Sequence, residues 1–275
     1  MKLGIFFLAT SVYKEYFKEF SKSLVNLFPE TLDVEKHLVI MSDGLEEYNN
    51  TENFGCKCHW VEVIDFPYPM VPCNKFQMVA HYLEKFDLDY GMFFDADSII
   101  LEKSNGFWDV LKSKLQLGKL LCSGHPHYLY RPEMDLTNLC VTRPDSAAYV
   151  DPYYVNSNRS YIITSFFAGS KEVIKKYADK IYQMIGKDLN KLRWMPQYVD
   201  EAYMNTIYVN DVIKGGADDI LKEKFITINP YIYGNFPERL NGNLYENNFP
   251  EYDDTIFINQ KYNVGLKSAK KENKI

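Results

Sequence analysis

Two pairs of carboxylates stand out by residue type, and one of them has the spacing to do chemistry. Asp95 and Asp97 close the run Tyr90-Gly91-Met92-Phe93-Phe94-Asp95-Ala96-Asp97-Ser98-Ile99-Ile100. Its first half is apolar and aromatic without interruption, as in a buried strand. Two residues apart, the aspartates project the same way if the backbone stays extended. Like charges that close raise each other's pKa, and a hard divalent cation such as Mg2+ or Mn2+ removes the conflict. An acidic loop following a strand is the plain alternative. The second pair, Asp200-Glu201, opens a stretch of helical character. Acidic residues at a helix start are favoured by the dipole, so a purely structural account of this pair also stands.

The elements that must carry these residues follow from periodicity. Residues 3–10 read as a buried strand, 13–28 as an amphipathic helix and 36–41 as a second strand, ending in the turn signal Ser42-Asp43-Gly44. Residues 45–59 read as loop and 60–64 as a third strand. Pro67, Pro69 and Pro72 predict an extended connection before a helix over 74–85 and the strand over 90–95. The first hundred residues thus predict β-α-β-β-α-β, a nucleotide-binding type of α/β half. Neither Gly-x-Gly-x-x-Gly nor Gly-x-x-x-x-Gly-Lys-Ser/Thr occurs, so a metal would have to manage the phosphates of any bound nucleotide. A short helix over 107–117, an irregular stretch of strand-like pieces over 118–160 rich in Tyr and Pro, an apolar strand over 160–167 and a helix over 171–186 follow. The loop 193–198 leads into the helix that Asp200 opens, and 225–228 reads as a last strand.

The chain has 275 residues, 46% hydrophobic and 16% aromatic, enough for a substantial core in one large α/β domain or two small ones. A net charge of −6 argues against general nucleic-acid binding. Five scattered cysteines predict a reducing compartment rather than a disulfide framework. Cys56-Lys57-Cys58-His59 lacks a second ligand pair at finger spacing, so zinc is not expected there. The short apolar start is read as a first strand, not a signal peptide, and no run is long enough to span a membrane.

Taken in order, the motifs resemble the retaining glycosyltransferases of the blood-group A/B and α1,3-galactosyltransferase family (glycosyltransferase family 6). The resemblance runs over roughly residues 2–270. It rests on Leu8-Ala9-Thr10 with Tyr13, on Phe94-Asp95-Ala96-Asp97, and on His125-Pro126 with Arg143-Pro144-Asp145-Ser146-Ala147-Ala148-Tyr149. It also rests on Ile163-Thr164-Ser165-Phe166-Phe167-Ala168-Gly169-Ser170 and on Tyr198-Val199-Asp200-Glu201-Ala202-Tyr203-Met204-Asn205. The last is similar to the family's Trp-His-Asp-Glu-Ser-His-Leu-Asn signature.

The resemblance implies a GT-A fold: a single Rossmann-like α/β domain with a mixed central sheet over 1–266, nucleotide-binding in 1–100 and sugar- and acceptor-binding in 101–266, then a basic tail over 267–275. It implies a metal-dependent retaining transfer of galactose or N-acetylgalactosamine from the UDP-sugar to a galactose-containing acceptor, with an α1,3 linkage. Asp95 and Asp97 would hold Mn2+, with Mg2+ possible. Leu8, Ala9, Thr10, Tyr13, Asp95 and Lys267 would contact the nucleotide. Lys75, Ile163, Thr164, Ser165 and Asp200 would line the donor sugar. Glu201 would face the anomeric carbon, as nucleophile or as stabiliser of an oxocarbenium-like state. His125, Tyr198 and Asn235 would contact the acceptor. Val199 and Tyr203 stand where the signature has histidines, and Ser165 leaves the choice between the two donors open. A UDP-glucose transferase of the same fold and a carbohydrate-binding protein without turnover are the competing readings. With no anchor or stem ahead of the first strand, the chain is expected to be a complete, soluble, cytoplasmic member of microbial or viral type.

Overall fold

The computed structural model describes residues 1–28, 34–44, 55–65, 69–100, 107–125, 140–158, 161–196, 198–223, 226–228 and 257–259. The described residues form ten strands: β1 (Lys2–Ala9), β2 (Glu35–Ser42), β3 (Lys57–Glu62), β4 (Tyr90–Asp95), β5 (Ser98–Ile100), β6 (Leu120–Gly124), β7 (Ile162–Ser170), β8 (Ile220–Glu223), β9 (Ile226–Ile228) and β10 (Phe257–Asn259). The helices are α1 (Phe17–Ser23), α2 (Met70–Lys85), α3 (Phe107–Leu115), α4 (Pro152–Asn158), α5 (Lys171–Leu192) and α6 (Val199–Ile207). Helix α6 continues into a π-helical segment, Tyr208–Lys214.

Seven strands form one mixed sheet in the order β3-β2-β1-β4-β7-β6-β8, and β5, β10 and β9 form a small second sheet. Strands β3, β2, β1 and β4 are parallel, and β7 runs antiparallel between β4 and β6. The chain leaves β1 towards β2 and β3, then returns to the other side of β1 as β4. That reversal makes a topological switch point between β1 and β4, and in open α/β sheets the ligand crevice belongs there, beyond the carboxyl ends of the strands. Leu8 is level with Asp95 in this pairing, so the two strands reach the crevice together.

The strands are apolar on both faces because both faces are covered. Leu3, Ile5, Phe7 and Ala9 pack with Phe17, Phe20 and Leu24 around α1, and with Trp108, Leu111 and Leu115 of α3. Phe6 and Leu8 face the other layer, with Phe76, Val79 and Leu83 of α2 and Ile174, Tyr177 and Ile181 of α5. Gly91 lets that layer approach: a Cβ there would meet Leu83 and Ile174 side chains at 3.0 Å.

The expected β-α-β-β-α-β order of the first hundred residues is present, with shifted boundaries. The third strand starts at Lys57, inside the stretch read as loop. Cys58 and His59 are neighbours on it and face opposite ways: Cys58 packs with the α1 layer, while His59 stacks on Phe86 and bonds His37. Helix α2 starts at Met70, so Pro72 lies in its first turn, where a missing N–H costs nothing. Strand β6 lies within the stretch read as irregular, and α5 runs six residues past the expected end to Leu192, closed by Arg193 at φ 48°. Among the described residues no helix is long and apolar enough to cross a membrane.

Candidate active site at the carboxyl end of β4 and the amino-terminal part of β7

The site is built on an interruption in β7. Cys122 of β6 pairs with Phe167, but the next residue, Ser123, pairs with Ile163. Thr164, Ser165 and Phe166 are therefore extra on β7. On the other side, pairing with β4 stops at Phe94 and Phe166, one residue short of Asp95 and Ser165. An odd number of extra residues flips the strand's faces. Accordingly Ile162 joins the same core cluster as Phe167, while Ile163 joins Phe166 and Ala168 in the other. Thr164 and Ser165 leave both ladders, and their backbone groups are released for other partners.

Thr164 uses that freedom to hold two carboxylates. Its N–H donates to Glu201, and its hydroxyl donates to Asp200 Oδ2. Asn205 pins the helix bearing both acids to the start of β7. It accepts from the Ile162 N–H at 2.7 Å, and its Nδ2 donates to the carbonyls of Ile162 (2.9 Å) and Glu201 (2.8 Å).

Lys75 closes the cluster from α2. Its Nζ lies 2.6 Å from Asp200 Oδ2 and 3.4 Å from Asp95 Oδ1, with the Phe93 ring 5.2 Å away. The side chain is buried, which alone would pull its pKa down. Asp200 and Asp95 outweigh that and hold it above the usual lysine value, so the ammonium stays charged. Glu201 is pushed up to about 8, first by burial and then by neighbouring Asp200. Lys75, a hydrogen bond with Tyr161 and the Thr164 N–H oppose that rise.

The residues that the resemblance assigns to the nucleotide lie at the end of β1. Leu8, Ala9 and Thr10 are buried there, and Tyr13 is partly exposed just beyond, its N–H bonded to the Thr10 carbonyl at 3.1 Å. Ser11, at φ 54°, turns the chain and donates its N–H to the Asp43 carboxylate. Asp97 is 3% exposed and Asp95 is half-buried. These are two hard-oxygen side chains, and a Mg2+ or Mn2+ ion held by them would complete its shell with phosphate oxygens and water. Among the described residues no group of three or more His, Cys, Asp or Glu side chains forms a closed metal cage.

Of the residues singled out from the sequence, Lys75, Asp95, Thr164, Asp200 and Glu201 come together directly. His125 follows β6, donates its N–H to the Tyr161 carbonyl at 2.7 Å and meets the Tyr161 ring edge to face. It is thus next to a residue that holds Glu201. Tyr198 is 43% exposed, one residue before α6. Ser165 is buried in the interruption, whereas the Ile163 side chain turns into the core. Asn235 and Lys267 lie outside the described residues. Tyr161 and the clamp made by Asn205 were not assigned roles from sequence. Asn205 had a signal in its place at the end of the signature-like stretch; Tyr161 had none beyond preceding an apolar run.

The arrangement places a fixed cation and three carboxylates around one corner of the crevice. Negative charge gathered there suits a centre that becomes cationic beside Glu201. The chain matches no protein-family model and no curated protein.

Proposed function

We propose that this protein is a metal-dependent retaining glycosyltransferase of GT-A type. It moves galactose or N-acetylgalactosamine from the UDP-sugar to a galactoside and makes an α1,3 link. The observation that carries this reading is the meeting of Asp95, Lys75, Asp200 and Glu201 at the ends of β4 and β7, drawn from three distant stretches of chain. The mixed sheet and the crevice between β1 and β4 support the nucleotide half of the reading.

In this mechanism uridine lies over Leu8–Thr10 and Tyr13. Asp95 and Asp97 would hold Mn2+ or Mg2+, and the chemistry such an ion would supply there is Lewis-acid stabilisation of a diphosphate leaving group. Asp200 takes the donor-sugar hydroxyls, held in place by Lys75 and the Thr164 hydroxyl. Glu201 faces the anomeric carbon, aimed by Tyr161 and the Thr164 N–H. Attack by Glu201 and stabilisation of an oxocarbenium-like centre both need its ionised form.

The test is a screen of UDP-galactose, UDP-N-acetylgalactosamine and UDP-glucose against galactoside acceptors with Mn2+, followed by linkage analysis. An α1,3-linked product is expected. Absence of transfer from every donor, with no hydrolysis of any of them, overturns the reading.

A further inference from the structure

Asp188 is a buried acid that the mechanism above does not use. It lies on α5, is 1% exposed, and is held by neutral donors. Its Oδ2 accepts from Ser146 Oγ at 2.6 Å and from the Tyr203 hydroxyl at 2.9 Å, and its Oδ1 accepts from the Ala147 N–H at 2.6 Å. A buried carboxylate is tolerated only when its oxygens are satisfied this way.

Its donors come from two places that matter for the site. Tyr203 is on α6, two residues after Glu201. Ser146 and Ala147 belong to the 143–149 segment. A second tie links the same two parts, since the Thr206 hydroxyl donates to the Ala148 carbonyl at 2.6 Å. Ser146 Oγ also accepts the Ala148 N–H at 3.0 Å, which closes the turn on itself. At the segment's outer end the Arg143 guanidinium lies 5.3 Å over the Trp194 ring, on the loop leading to Tyr198. The segment is therefore fixed relative to the helix that carries Glu201, and Asp188 is the shared fastening.

We propose that Asp188 is a positioning residue that seats the 143–149 segment against the Glu201-bearing helix and so aligns the acceptor side of the site. This rests on the transferase reading for its kinetic consequence, while the fastening itself can be measured without activity.

The experiment uses the full chain with Asp188→Asn, Ser146→Ala and Ser146→Thr. Steady-state kinetics, UDP binding and amide hydrogen exchange are read for each. Ser146→Ala is expected to raise the acceptor KM by roughly tenfold or more, since small misplacements are costly in such sites. Ser146→Thr keeps the hydroxyl and is expected to restore it, and UDP affinity should stay within about twofold for all three. Exchange at 143–149 and 199–207 should quicken in Asp188→Asn while β1 to β4 stay protected. An unchanged acceptor KM in Ser146→Ala overturns the proposal, as does faster exchange spread evenly over the sheet. A wild-type protein that transfers no sugar overturns the transferase reading instead. Exchange at 143–149 then decides the fastening: quickened in Asp188→Asn it supports it, unchanged it removes it.

Discussion

Lys75 Nζ sits 2.6 Å from Asp200 Oδ2, joining the helix before β4 to the helix that carries Glu201. The pair is buried, and the lysine also reaches Asp95. Removing one member of a buried pair strands the other, at a typical cost of about 3–5 kcal/mol. Lys75→Met should therefore lower the urea midpoint sharply. Lys75→Met combined with Asp200→Leu should recover much of that loss. A single variant as stable as wild type would mean the pair is not formed.

Glu201→Gln should cut turnover by a factor on the order of a hundred or more while UDP binding is kept. Near-full rate in that variant would place Glu201 away from the reacting centre.

The same substitution should have a pH-dependent effect on stability. The Glu201 carboxyl is raised to about 8 in the fold, above its ordinary value. Its contribution is thus fully present below the ordinary carboxylate value and is lost as pH rises through about 8. Above that, the buried charge opposes folding. Glu201→Gln should melt higher than wild type at pH 9, by about 2 kcal/mol after allowing for partial exposure, and like wild type near pH 4. A constant difference across that range would contradict the assigned burial.

In the proposed transfer Glu201 acts in its ionised form, so kcat/KM should climb with pH on a limb near 8 in the free protein. Tyr161→Phe removes a hydrogen bond that favours the ionised form and should move that limb higher. A limb that does not move excludes Tyr161 as its partner.

Transfer should stop in excess EDTA and return with Mn2+. Asp97→Asn should weaken the response to added metal even where UDP still binds. Full activity in EDTA would defeat the metal assignment.

Ser165 sits where β7 has left both ladders. Ser165→Gly and Ser165→Ala should change the ratio of N-acetylgalactosamine to galactose transfer with little effect on the melting temperature. A fixed ratio would move donor choice to other residues.

Much of this was legible in the sequence. Strands β1 and β4 announce themselves because a strand covered on both faces must be apolar throughout. Strand β3 was legible only from Trp60 onward, because it lies at the sheet edge and Lys57, Cys58 and His59 read as loop. Strand β6 is only five residues long and is followed by a stretch without period. The carboxylates were visible as residue types, and the resemblance named Lys75 as a neighbour of the donor. That Lys75 would join Asp95 to Asp200 was not visible, because one partner lies twenty residues away in sequence and the other far beyond it. The interruption in β7 was hidden too. Tyr161 to Phe167 is apolar enough on either face that a change of face leaves no mark on its pattern.

That interruption separates two demands that usually compete within a strand. A central strand must satisfy its neighbours at every residue, which leaves little room for variety. Here the ladder hands Thr164 and Ser165 over and resumes beyond them, so no cross-strand pair depends on which side chain stands at 165. The side chain at that position can change across generations of the sequence while the pairing of β4, β7 and β6 stays as it is.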